Sequence, residues 1–288
     1  MNEKPKVCAI MITEDNPEAA RRALNCFERQ TWATRILILN TGAEPFLPDH
    51  CREVLSRIRH EHVPALKENT IGEMLNHANT AARAAFNPDI LIHWADTDWS
   101  HPNRIAEQVA LLQNSEADCV GYWETLFWAA DRGGLIFDEA NASRPGKHWP
   151  MDVHRPEGET WLYTNPIPRY GLGTSLCYWR KTWEQKPFET NLPESAEYMK
   201  FVMDRKCVGV SATRRQASEE EIRASGIHPA PGVATKDIGL LLTLKEPRMI
   251  CEMPSIHYPA AVPELMEVDG EKEWRRVPEW DDYCRNAG

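Results

Sequence analysis

Short apolar runs alternate along the chain with longer segments whose apolar residues recur every three or four positions. The first run, "VCAIMI" (Val7 to Ile12), is continuous and partly β-branched, which suits a strand buried on both faces. "EDNPEAARRALNCFERQ" then predicts a helix. Asn16 is placed to cap it, Pro17 fits the first helical position, and Ala20, Leu24 and Phe27 form its apolar stripe. "RILILN" (Arg35 to Asn40) reads as a second buried strand stopped by "TGAEP", and "DHCREVLSRI" as a short helix. "TIGEMLNHANTAARAAF" opens with Thr70 and Glu73 at capping-box spacing and continues with Met74, Leu75, Ala78 and Ala82 inward. "DILIHW" is a further strand, which ends in Asp96 and Asp98 of "WADTDW". "SHPNRIAEQVALLQ" predicts a helix capped by Ser100, with Ile105, Val109 and Leu112 inward, and "DCVGYW" another strand.

This strand and helix alternation predicts an α/β fold, a doubly wound, mostly parallel sheet with helices on both faces. Such sheets bind ligands beyond the carboxyl ends of their strands. Three polar clusters are expected to meet there: Thr13-Glu14-Asp15, Asn40-Thr41-Gly42 and Asp96-Thr97-Asp98. After Tyr122 the pattern changes. "FWAADRGGLIFDEA" suggests a hairpin turning at Gly133-Gly134, and residues 141–170 have no period, as in a functional loop. "GLGTSLCYWRKTWEQ" returns to a strand (Ser175 to Trp179) and a short helix, and "PESAEYMKFVMDRK" is helical with Ser195 as a cap. Residues from Ser211 to Asp237 read as a surface excursion, "MICEM" (Met249 to Met253) as a last strand. The expected organisation is one domain over 1–260, divided into a nucleotide-binding half (1–122) and an acceptor half (123–260), followed by a charged tail over 261–288.

Composition narrows the function classes. The 288 residues are 42% hydrophobic and 26% charged, as in an ordinary globular chain. A formal net charge of -10 gives no general attraction to nucleic acid or anionic membrane, so an anionic substrate needs local cations or a metal. The eight cysteines are scattered without a C-x-x-C pair, which predicts reduced thiols and no zinc framework. The opening apolar run is too short for a signal peptide, and no run approaches the ~20 apolar residues of a membrane span, so the expected location is cytoplasmic. No G-x-x-x-x-G-K, H-E-x-x-H or G-x-S-x-G occurs.

Asp96 and Asp98 then invite two readings. Carboxylates two residues apart after a strand make a hard oxygen pair for Mg²⁺ or Mn²⁺, with positions left for phosphate oxygens. A cation between a nucleotide diphosphate and two aspartates turns repulsion into a bridge. The other reading is structural: Asp96 caps a turn and Asp98 the next helix.

Five stretches in consistent order decide between them. "IMITEDNPEAARRALNCFERQTW" resembles the opening of the inverting family-two glycosyltransferases with the GT-A fold. "ILILNTGAEP" resembles their second strand and its D-D-G-S turn, and "GEMLNHANTAARAAF" their G-x-x-x-A-x-N helix. "ILIHWADTDWSHPNRIAEQVALLQ" resembles the D-x-D stretch with its x-P-x-R-L-x-x-Q, and "GTSLCYWRKTWEQKPFE" the acceptor-side strand. The resemblance spans about residues 5–205.

It implies a metal-dependent, inverting transfer from a nucleotide-diphospho sugar, most often a uridine one, to an acceptor hydroxyl, by default that of a small glycan or carbohydrate polymer, with Mn²⁺ or Mg²⁺ as cofactor. Thr13 and Asp15 would lie by the base, Asn40 would stand at the family's acidic base contact, and Gly72 and Thr97 would complete the donor side. Asp96 would face ribose and metal, Asp98 would bind the metal, and His257 of "PSIHYPA" would be a further ligand. The family's catalytic base is the second residue of an E-D pair with an aromatic four positions on. Glu197 aligns with that base and Phe201 with the aromatic, but Ala196 replaces the first acid, and Glu194 competes for the role. On the acceptor side stand Gly173, Thr174 and the aromatics Trp161 and Tyr163, which serve either sugar stacking or loop anchoring, as do Trp149 and Tyr170. His60 and His62 read as strand-face residues rather than ligands.

Three rivals stay open. The same chemistry could act on a hydroxylated modified base in DNA, with Lys206, Arg214, Arg215 and Arg223 flanking a flipped nucleotide, although the acidic net charge disfavours nucleic acid. Asn40 and Ala196 also fit a non-catalytic nucleotide- or sugar-binding module on this scaffold. A nucleotidyltransferase ranks last, because the chain lacks a Gly-rich basic opening.

Overall fold

The computed structural model describes residues 4–45, 57–66, 69–128, 158–165, 171–191, 196–225, 241–252 and 274–287. Its centre is the run of strands anticipated from the apolar stretches. β1 (Val7–Thr13) lies between β2 (Thr34–Asn40) and β4 (Ile90–His93), and β3 (Ile58–His62) edges β2, all in parallel. The register aligns Val7 with Thr34 and Thr13 with Asn40, so the polar residue ending β1 meets the one ending β2.

Period-two alternation sorts the strands onto two faces. Ala9, Met11, Ile36, Ile38, Ile90 and Ile92 face α1 (Pro17–Glu28) and α3 (Arg104–Asn114), which insert Leu24, Phe27, Ile105, Val109 and Leu112. Ile10, Leu37, Leu39 and Leu91 face α2 (Ile71–Phe86), α4 (Arg180–Gln185) and α5 (Ala196–Met203), which supply Leu75, Ala78, Trp183 and Phe201. Each fully buried Leu or Phe contributes about 1.5–3 kcal/mol, so this double layer is the main source of stability. Capping matches the sequence at two helices. Asn16 accepts from Ala19 N–H at the start of α1, and Thr70 and Glu73 form a reciprocal box on α2.

Beyond β4 the sheet is mixed. β8 (Cys177–Trp179) runs antiparallel to β4 and to the start of the long β6 (Cys119–Trp128). β6 also pairs in parallel with β9 (Cys207–Ser211) and β12 (Met249–Glu252), and antiparallel with β7 (Thr160–Thr164). β5 (Trp99–Ser100) pairs with β12, and β10 (Arg214–Gln216) and β11 (Leu241–Thr243) form a separate antiparallel pair, with α6 (Glu219–Ala224) in the chain between them. The sheet is thus mostly parallel, as expected, and its antiparallel pairs fall among the strands beyond β4.

Other expectations shift locally. Ser100 belongs to β5 and does not cap α3, whose N-cap is Asn103; its hydroxyl instead accepts from Arg104. β9 was not anticipated, because "CVGVS" is five residues long with glycine at its centre. The end of the expected tail returns to the sheet. β13 (Trp274–Arg276) pairs with β7, and Val277, Trp280 and Cys284, the latter on α7 (Asp281–Ala287), are buried against Leu126 and Leu162. The turn at Gly133-Gly134, the cap Ser195, Trp149 and Tyr170 lie outside the described residues, as does the short helix expected over 49–58 up to residue 56; its expected last residue, Ile58, instead opens β3. No described helix is long and apolar enough to cross a membrane.

Candidate active site

The three polar clusters meet at the carboxyl edge of β1, β2 and β4. Thr13 Oγ1 donates to Asp96 Oδ2 at 2.8 Å, and Thr41 N–H donates to the Thr13 carbonyl at 3.0 Å. Asp15 takes a positive φ of 29°, which aims its carboxylate at Ala43 N–H, 2.8 Å away. Gly42 is the one residue type that fits between them. A Cβ there would lie 2.4 Å from Asp15 Oδ1 and 2.7 Å from Asp15 N. Asn40 ties the turn together: its Oδ1 accepts from Gly42 N–H at 2.8 Å and its Nδ2 donates to the Glu44 carbonyl at 2.9 Å. A cavity of about 400 Å³ opens here, lined by Thr13, Asp15, Asn16, Pro17, Asn40, Glu44 and Pro45. That is room for a small planar ligand. A larger hollow, about 640 Å³, lies at the opposite edge of the sheet between Lys4, Lys6, Asp89 and Trp179, away from every predicted site residue.

Asp96 and Asp98 differ in burial. Asp96 is half-buried beside Thr13, Thr97 is exposed, and Asp98 is only 4% exposed. Asp98 approaches Cys251 of β12, whose thiol also meets Thr174; burial first, and the Asp98 carboxylate second, push that thiol well above its usual range. The donor chemistry of the aspartates suits a hard divalent cation. Among the described residues no cluster of three or more His, Cys, Asp or Glu could hold a metal. His257 lies outside the described residues, as does Glu194.

A buried cation organises the ground under the aspartates. Arg104 is fully buried on α3. It donates to the carbonyls of His93 (2.9 Å) and Thr174 (3.1 Å), to Ser100 Oγ (2.8 Å) and to Gln108 Oε1 (3.2 Å), and it lies over the Trp94 ring. Gln108 Nε2 donates to the Ser175 carbonyl at 2.7 Å. Arg104 and Gln108 thus join the end of β4 to the Gly173–Ser175 3-10 turn. The sequence held a signal for this role, a polar pair at i and i+4 beside the inward stripe of α3, within the quoted x-P-x-R-L-x-x-Q pattern.

His93 is the second residue that sequence reasoning passed over. It is buried, and burial drives its pKa down to about 4, so it is neutral near pH 7. Nδ1–H donates to the Gly173 carbonyl at 2.6 Å, which leaves Nε2 to accept from Tyr178 OH at 3.1 Å. Tyr178, Phe188 and Tyr198 surround the ring. Gly173 touches Tyr198 so closely that a Cβ would come within 2.4 Å of the phenol ring. Tyr198 follows Glu197 on α5, so this aromatic packing sets the helix carrying Glu197 beside the end of β4. Phe201 stacks on Phe188 with centroids 4.2 Å apart and is core rather than lining. Gly72 is buried in the first turn of α2.

Of the residues expected on the acceptor side, Thr174 is joined to Asp98 through Cys251 and accepts from Arg104, and Gly173 precedes it. Trp161 and Tyr163 stand two strands away on β7. Register places Cys251, Phe127 and Trp161 in one row across β12, β6 and β7, hence on one face, and Tyr163 packs edge-on against Phe127. His62 on β3 contacts the Gly42 carbonyl at 2.9 Å, and His60 shares that strand, as expected for strand-face residues. The arginines proposed to flank DNA are engaged internally. Arg214 pairs with buried Glu124, Arg215 with Glu221 and Arg223 with Glu219, which leaves Lys206 as the exposed cation of the four without an ion pair among the described residues.

No family model matches the sequence, and no curated protein matches it. Solved structures with a related chain path include S. aureus TarS, residues 1–349, at 14% identity over 70% of this chain and 57% of that one, TM-score 0.43. A longer S. aureus TarS gives 13% identity over 72% and 35%, TM-score 0.47. The mannosyltransferase PcManGT from Pyrobaculum calidifontis, in complex with GDP-Man and Mn²⁺, gives 11% identity over 73% and 55%, TM-score 0.44. The chain therefore spans less than two thirds of the length of these structures.

Proposed function

We propose that this chain is a nucleotide-sugar glycosyltransferase that moves a sugar, with inversion, from a nucleotide diphosphate to an acceptor hydroxyl. One observation carries the reading: the Thr13–Asp96 hydrogen bond brings the aspartate turn to the rim of a cavity framed by Thr13, Asp15 and Asn40. The ordered sequence resemblance over about residues 5–205 supports it.

In this reading the nucleotide base occupies the cavity, and the Asn40 amide and Asp15 present its polar edge. Asp96 and Asp98 would hold the divalent cation, with His257 as a further ligand, and the cation would neutralise the departing diphosphate. Buried Arg104 keeps the two carboxylates at a fixed height by holding His93 and Ser100 from beneath. The acceptor hydroxyl reaches the anomeric carbon across Gly173 and Thr174. Its oxygen attacks in line as the bond to the diphosphate oxygen breaks, the electron pair leaves with the diphosphate, and Glu197 takes the hydroxyl proton. Trp161 and Tyr163 extend the acceptor path along the outer strands, where aromatic faces stack on sugar rings.

The test is a thermal-shift series with nucleoside diphosphates, each with and without Mn²⁺. The reading expects stabilisation that needs both components and that Asp98→Asn abolishes. Equal stabilisation with and without metal, unchanged in Asp98→Asn, overturns it. Glu197→Gln should then retain nucleotide binding and lose transfer, with Glu194→Gln retaining both.

A further inference from the structure

Strands β6 and β9 start side by side, and each starts with a cysteine. Cys119 and Cys207 are direct register partners in this parallel pair, so their side chains leave the same face of the sheet. Neighbouring strands lie about 4.8 Å apart, within the roughly 4.4–6.8 Å between Cα atoms that a disulfide spans. Asp118 holds the two starts in register. Its N–H donates to the Lys206 carbonyl at 2.9 Å, and its carboxylate accepts from Lys206 N–H at 2.9 Å.

The two sulfurs are unequal. Cys119 is fully buried, whereas Cys207 is half-buried. The Cys119 thiol and Gly171 N–H both point at the Cys207 sulfur and hold its pKa below the usual thiol range. The same contact, with burial, pushes Cys119 up, and the Arg205 guanidinium lies near enough to oppose that rise. Elsewhere burial raises Cys8 and Cys177 to about 12 and Cys284 to about 11. Cys207 combines an opened face, donors aimed at its sulfur and a second thiol in contact, which are the features of a reactive cysteine with its resolving partner.

We propose that Cys119 and Cys207 form a dithiol oxidation site that closes reversibly to a disulfide, with Cys207 as the reacting thiol. With a hydroperoxide as oxidant, Cys207 gives up its proton and its sulfur attacks the terminal oxygen. The O–O bond breaks, hydrogen peroxide releases one water, and Cys207 becomes a sulfenic acid. The Cys119 sulfur then attacks the Cys207 sulfur; the S–O bond breaks, the S–S bond forms, and the hydroxyl leaves as water with the Cys119 proton. Two thiols lose two electrons in all, and one peroxide is reduced to two waters. Reduction by an external dithiol reverses the bond by exchange.

The experiment treats the full chain with hydrogen peroxide, blocks remaining thiols by alkylation and maps the peptides by mass spectrometry. A Cys119–Cys207 linked peptide, removed by dithiothreitol, is the expected major product. In Cys119→Ser, dimedone should trap a sulfenic acid on Cys207; in Cys207→Ser, Cys119 should stay unmodified. Cys119→Ala serves where the serine variant does not fold. A product that links either cysteine elsewhere overturns the proposal, and so does a Cys207 no faster to oxidise than the buried Cys8 and Cys177. The readout is covalent and independent of sugar transfer.

Discussion

Thr13 and Asp96, eighty-three residues apart in the chain, meet in a 2.8 Å hydrogen bond at the ends of adjacent strands. The hydroxyl orients one oxygen of the carboxylate. Thr13→Val keeps the shape and removes the donor. It should cost about 1 kcal/mol of stability and weaken Mn²⁺-dependent nucleotide binding roughly five- to tenfold. Urea denaturation and calorimetric titration check the two effects separately.

Gly42→Ala places a methyl against Asp15, including its backbone nitrogen. Backbone does not yield as a side chain does, so the nucleotide-side turn must open. A destabilisation of about 1–3 kcal/mol is expected, with loss of nucleotide binding. Unchanged binding would show that this turn does not shape the donor pocket.

Gly173→Ala acts on the other side. The added carbon would meet the Tyr198 ring at 2.4 Å, so the ring and the helix carrying Glu197 must shift. Turnover should fall at least tenfold while the nucleotide affinity, which the proposed function assigns to the Thr13 and Asn40 cavity, stays within about twofold. Steady-state kinetics beside a binding isotherm tests the split.

Stability should decline in mild acid because of His93. Its folded pKa of about 4 lies below the ordinary value of 6.5, so the unfolded chain takes up a proton before the native one does. The associated stability is complete above about pH 6.5, decreases as the pH falls and is gone near pH 4. The full span is on the order of 3 kcal/mol. His93→Gln should flatten this part of the pH profile in denaturant titrations; a wild-type slope that persists in the variant would assign it to carboxylates instead.

Arg104→Met should cost on the order of 3 kcal/mol, because buried carbonyls of His93 and Thr174 lose their donor. Arg104→Lys, which keeps the charge but not the planar fork, should be intermediate. Denaturation midpoints for both variants test the order.

The sequence made the first half of the fold legible for a physical reason. "VCAIMI", "RILILN" and "ILIH" are apolar enough to be buried on both faces, and Asn16 and Thr70 cap by local chemistry that needs no distant partner. The polar strand ends followed from that topology. Arg104, His93 and the Gly173–Tyr198 contact were less visible, since each owes its role to partners seventy or more residues away or on another helix. Ser100 does not cap the helix because a strand partner, Met249, arrives from the far end of the chain and takes the residue out of the helix start. β9 escaped notice because burial there comes from β6 and not from its own short pattern.

Gly121 and Gly171 touch backbone to backbone; a methyl on either would lie within 2.7 Å of the other's Cα. The contact welds the stretch leading into Gly173 onto β6, and no side chain can be inserted at the weld to tune it. On the proposed function, altered acceptor preference must therefore be written into the flanking side chains, with this glycine pair left as the fixed point about which they vary.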